Sequence, residues 1–157
     1  SFNKKRKAMK SLKYILSIGV LASILLGVNT SCTIETDSSK KLGGFWHLES
    51  IDTLATGGHT DLSDKRLFWS AASRLLEVAD KDKSGSVFFT YEHTGDSLKL
   101  GDAYVNDRNK GDWPLDDVTR LRKFGINQLH EGFAVLALDG NKLILQSSLL
   151  QLHLKRF

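Results

Sequence analysis

From Leu42 onward, apolar and polar residues alternate along much of the chain, and turn-forming residues interrupt the alternation at short intervals. Residues 45–51 read as a first strand, and Thr56-Gly57-Gly58-His59 as loop. Residues 66–79 form a longer apolar run, read as one bent strand or as a short helix leading into a strand. Asp80 to Gly85 turns the chain, and Val87, Phe89 and Tyr91 then fall on one strand face. Thr94-Gly95-Asp96 is a hairpin turn, and Leu98 and Leu100 return on the next strand, which Tyr104 and Val105 extend or follow. Asp139-Gly140-Asn141 joins the two runs 132–138 and 142–146, the strongest hairpin signal in the chain. A last strand over 149–154 sets Leu150, Leu152 and Leu154 on one face and Gln151 and His153 on the other.

One segment, 114–124, breaks this period. Leu115, Val118 and Leu121 recur at three-residue steps, Pro114 stands near the first turn, and Asp116 and Asp117 suit the positive end of a helix dipole. Arg120, Arg122 and Lys123 suit the other end, and Gly125 supplies a C-terminal cap. The pattern predicts a mainly β, antiparallel domain of seven or eight strands with one short helix. A sandwich or a closed barrel would satisfy it, and closure would remove exposed sheet edges.

The chain ahead of this domain is different. Lys10 and Lys13 follow Met9, a plausible start, and an uncharged stretch from Tyr14 to Val28 leads to Asn29-Thr30-Ser31-Cys32. That stretch is shorter than the roughly 20 residues of a membrane-spanning helix and fits the apolar centre of a signal peptide. Small polar residues followed by the sole cysteine resemble the cleavage site of bacterial lipoproteins, although Asn29 stands where Leu is usual. The resemblance implies a signal peptide over 1–31, acyl chains on Cys32, and export to the cell envelope, with the outer membrane as the expected location. Residues 33–41 are polar, so 32–41 is read as lipidated N-terminus and flexible tether, and 42–157 as the domain.

Charge supports that division. The chain is +4 overall, but residues 1–31 hold six basic and no acidic groups, while 32–157 hold sixteen basic and eighteen acidic groups, a net of −2. The basicity belongs to the targeting segment, which argues against nucleic acid as a partner. A lone cysteine cannot staple an exported domain, so stability must come from a core.

Gly44-Phe45-Trp46 opens the first strand, and Lys155 and Arg156 end the last. This pattern resembles the lipocalins, whose Gly-x-Trp closes one end of a calycin β-barrel beneath a basic residue from the last strand. The chain is similar to the lipocalin-like lipoproteins of Bacteroides-type bacteria. The resemblance gives Gly44, Trp46 and Arg156 the closing role, with cation–π attraction as its physical basis. Two features depart from the lipocalin pattern. Gly101-Asp102-Ala103-Tyr104 only loosely echoes the family's Thr-Asp-Tyr, and the helix stands before the last strands instead of after them.

No catalytic set is visible. The nucleophile-elbow pattern is missing, and so is any carboxylate pair on a recognisable scaffold. Asp80, Asp82 and Ser84 copy half of a calcium loop, but Tyr91 holds the place of the bidentate glutamate, so a hairpin turn is expected. His47, His59, His93, His130 and His153 are scattered, and neither metal nor cofactor is expected. Trp69, Phe88, Phe89, Tyr91, Tyr104 and Trp113 could line a cavity for a small apolar or amphipathic ligand, with Trp69, Phe89, Tyr91 and Tyr104 as the candidate contacts. The alternative is a barrel filled by its own side chains, acting as an interaction or structural lipoprotein with an envelope protein as partner.

Overall fold

The computed structural model describes residues 41–83, 85–107 and 109–157. The segments read as signal peptide and tether, with Cys32, lie outside the described residues apart from Lys41. Ten strands follow one another: β1 (Gly44–Thr53), β2 (Gly58–Asp61), β3 (Leu67–Ala72), β4 (Leu75–Asp80), β5 (Ser86–Thr94), β6 (Ser97–Asn106), β7 (Trp113–Pro114), β8 (Gly132–Leu138), β9 (Lys142–Gln146) and β10 (Leu150–Arg156). Eight of them close an antiparallel barrel in the order β10-β9-β8-β6-β5-β4-β3-β1, and β1 pairs back onto β10. The other two are appendages, β2 on β1 and β7 on β6.

Three local readings are corrected. Residues 66–79 are neither one bent strand nor a helix and strand, but the β3–β4 hairpin. Its turn has no glycine or proline, and Ser73 takes a positive φ of 52°. The tertiary structure supports that turn, because the Tyr91 hydroxyl donates to the Ser73 carbonyl at 3.1 Å. The segment read as loop at Gly58 and His59 is β2, whose four residues are all exposed and so carry no apolar period. The predicted helix is a 3-10 helix confined to Val118–Phe124, and Pro114 belongs to the short strand β7 instead. Its apolar step of three is the 3-10 period. Asp117 caps it by accepting the Thr119 N–H at 2.8 Å, which holds the Asp117 carboxyl below its ordinary pKa. Gly125 ends it at φ 80°, packed against Leu152.

Inward positions follow the alternation: Trp46 and Leu48 on β1, Leu76 and Val78 on β4, Val87 and Phe89 on β5, Leu152 and Leu154 on β10. Between Phe89 and Tyr91 the β5–β6 register shifts, which keeps both Leu100 and Ala103 inward. The Gly101–Asp102 pair sits at this bulge, where the Thr90 hydroxyl accepts the Asp102 N–H at 3.0 Å. The core cluster runs from Leu42 to Leu154 and includes Leu121, Phe124 and Ile126 from the 3-10 segment, so that segment plugs one end of the barrel.

Candidate functional site

The two ends of the barrel are closed differently. At the first, Trp46 is 1% exposed and its indole N–H donates to the Leu42 carbonyl at 2.8 Å. The Arg156 guanidinium lies 4.3 Å from the Trp46 ring centroid and donates to the carbonyls of Gly43 and Lys41 at 3.0 and 2.9 Å. Gly44 has φ +128° and a Cβ there would run into the Arg156 guanidinium, so glycine is what permits the approach.

The opposite end is the mouth, formed by the β4–β5 turn, the end of β6 and the 3-10 helix. Lys123 reaches from that helix to Asp80 at the end of β4, 2.6 Å away, and the Asp82 N–H also donates to the Asp80 carboxylate. Burial raises the pKa of the Asp80 carboxyl, but the Lys123 ammonium and the Asp82 N–H outweigh that, and the net position is below the ordinary value. The carboxylate that would begin a calcium loop is therefore committed to an ion pair.

Beside this pair lies an open cleft of about 890 Å³. Val78, Val87, Val105 and Phe124 supply buried apolar groups to its floor, and Trp113 stands on its wall. Lys81, Lys83, Arg120 and Lys123 line it together with Glu77, Asp80 and Asp107. An apolar floor under a mixed, cation-rich rim suits a ligand with one greasy and one polar end.

The sequence-based candidates for ligand contact do not meet in one cavity. Trp69 and Phe89 point inward but are 1% and 0% exposed, and Trp69 packs edge-on to Phe133 at 5.8 Å. Tyr91 is half-buried near the β3–β4 turn. Tyr104 lies on the outer face of β6, opposite Pro114, because Ala103 and Val105 take the inward positions. The interior at Trp69 and Phe89 is filled by side chains.

One constellation escaped the sequence. The Asp52 carboxylate bridges His59 at 2.5 Å and His153 at 2.8 Å, and these hydrogen bonds lower its pKa, His59 more than His153. Asp52 and His59 face each other across the β1–β2 hairpin, and barrel closure brings in His153 from β10. Recognising β2 as a strand would have exposed the first pair. Closure of β10 on β1 was needed for the second. Among the described residues, no group of three or more His, Cys, Asp or Glu is arranged to hold a metal ion.

Comparison with known proteins fits this geometry. A family model described as a lipocalin-like domain matches residues 24–157. A lipocalin-like protein from Bacteroides uniformis superimposes with a TM-score of 0.57 at 18% identity, covering 74% of this chain and 99% of that one. An uncharacterized protein from Bacteroides eggerthii does so with a TM-score of 0.50 at 13% identity, with the same coverage of 74% and 99%. At these identities the likeness concerns the fold. A search of curated proteins finds no match.

Proposed function

The chain belongs to the lipocalin-like domain family, and from that premise we propose that it is a lipid-anchored envelope protein that binds one small amphipathic ligand in the mouth of its barrel. The observation that carries the ligand reading is the open cleft of about 890 Å³, with its apolar floor and basic rim, beside an interior already filled. The ligand's apolar part would lie over Val87, Val105 and Phe124, and an anionic end would meet Lys83 and Arg120. The role is one of binding, without a chemical step. Export through residues 1–31 and acylation of Cys32 would hold the domain at the outer membrane.

Native mass spectrometry of residues 33–157, purified from the native host without detergent, tests the ligand reading. A reproducible bound mass of a few hundred daltons, reduced in the Lys83→Ala/Arg120→Ala double variant, is the expected result. A clean apo mass would overturn it. Anchoring is tested separately, since Cys32→Ser should move the protein from the membrane to the soluble fraction of the host.

A second reading takes the filled interior at face value. Leu54 and Leu149 are 43% and 52% exposed and adjacent, with the Leu54 N–H donating to the Leu149 carbonyl at 2.9 Å. Such apolar loop tips suit contact with another envelope protein, and an apo mass would favour this reading.

A further inference from the structure

The outer face of β10, β1 and β3 carries an aromatic cluster that the barrel core does not use. Phe45 and Phe68 stack with ring centroids 4.6 Å apart, and Phe157 meets them edge-on at 6.1 and 5.2 Å. Phe68 is buried by these neighbours, but Phe157 remains 82% exposed, the highest value among the exposed large hydrophobics of the described residues. The cluster frames a shallow groove of about 280 Å³.

Cations surround it. Strand register sets Lys142, Lys155, His47 and Phe68 in a row across β9, β10, β1 and β3. The Lys81 ammonium stands 5.6 Å from the Phe45 ring centroid. Lys65 pairs with Asp64 at 2.8 Å and Arg66 with Asp82 at 3.6 Å, so those charges offset one another. Among the described residues, Lys81, Lys142 and Lys155 have no acidic partner within ion-pair distance. Asp139 lies close enough to Lys142 to feel its charge, so the surplus of positive charge on this face comes chiefly from Lys81 and Lys155, although residues 32–157 are net negative.

The tether joins the domain at this same place. Lys41 is exposed and its carbonyl is held by Arg156, whose neighbour Phe157 donates its N–H to the Phe45 carbonyl at 2.9 Å. The stretch 33–41 reaches at most about 30 Å even when fully extended. An acylated Cys32 would keep the domain that close to the bilayer, at a high effective concentration of lipid surface.

We infer that this face docks on an anionic lipid surface, with Phe157 entering the headgroup boundary and Lys81, Lys142 and Lys155 facing lipid phosphates. The inference rests on the lipid-anchored reading of Cys32 for its orientation. Aromatic rings favour the interfacial region, and each lysine near an anionic surface strengthens attachment about fivefold.

The test uses residues 33–157 without lipid, so its outcome does not depend on acylation, which the Cys32→Ser experiment reads independently. The protein is sedimented with sucrose-loaded vesicles of phosphatidylcholine, alone or with about 30% phosphatidylglycerol. It should bind the anionic vesicles, and raised salt should release it. Lys81→Glu/Lys155→Glu should weaken binding by at least about 25-fold, since two attractions are lost and two repulsions added, and Phe157→Ser several-fold, while Lys99→Glu on β6 should leave it unchanged. All four side chains are exposed, and circular dichroism checks that each variant keeps its fold. Failure to bind anionic vesicles, or equal binding to both vesicle types, would overturn the inference. So would equal weakening by Lys99→Glu, or a solution dimer that Phe157→Ser abolishes, which would assign the face to a second copy of the chain.

Discussion

The closed end and the mouth of the barrel do the same structural task by different physics. At the closed end a buried tryptophan is covered by a guanidinium whose hydrogen bonds go to backbone carbonyls. None of those acceptors titrates. At the mouth a short 3-10 plug, packed into the core through Leu121, Phe124 and Ile126, is fastened at its edge by one carboxylate and one ammonium, 43 residues apart in sequence. 3-10 hydrogen bonds are poorer than α-helical ones, and an ion pair with one acidic partner is lost when that partner is protonated. Permanence therefore sits at the Trp46 end and adjustability at the end where a ligand would enter.

The largest expected effect is at the closed end. Trp46→Ala removes a side chain that is almost wholly buried, and about 3–5 kcal/mol should be lost, read as a lowered urea midpoint. A loss below about 1 kcal/mol would mean that the two ends do not differ as described.

Gly125→Ala probes the plug. A Cβ at that position would stand 2.7 Å from Leu152 Cδ2, on a backbone with φ +80°. The expected cost is about 2 kcal/mol, with local loosening of the 118–126 segment in hydrogen exchange ahead of the strands.

Lys123→Met should have the smallest effect, about 1 kcal/mol near neutral pH, because Lys123 is itself 40% exposed. Its signature is the pH dependence. The Asp80 carboxyl has a folded pKa below its ordinary value of 3.8. In that window the unfolded chain binds the proton more readily, so stability rises with pH. The contribution is complete above the ordinary value and disappears as pH falls through the lowered one. Urea midpoints measured downward from pH 6 should therefore fall less steeply in Lys123→Met than in the parent protein. Parallel curves would show that the ion pair does not hold the mouth.

Much of the fold was legible. The β8–β9 hairpin runs over the residues that Asp-Gly between apolar runs indicated, and the turn after Thr94 is where Gly95 was expected. The β3–β4 turn was not legible, because Ser73 and Arg74 supply no Gly, Pro, Asn or Asp to mark it, and the Tyr91 hydroxyl that meets the Ser73 carbonyl is 18 residues away. The 3-10 helix was visible as a period of three but was given too long a span, since Pro114 fits a strand edge as well as a first helical turn. The mouth cleft could not be seen, because its floor and rim come from β4, β5, β6 and the 3-10 segment, which meet only when the barrel closes.

The sequence alone determined the strand alternation, most of the turns and the mainly antiparallel β class, because each rests on side-chain periodicity and on backbone preferences that act over a few residues; it left sandwich and barrel open, and only the resemblance carried by Gly44-Phe45-Trp46 pointed to the barrel. The tertiary structure decided which aromatics fill the interior, that Tyr104 faces outward, that Asp52 joins two histidines, and where the open cleft lies. Those outcomes depend on register and closure, and a bulge of a single residue moves a side chain from one face of a strand to the other.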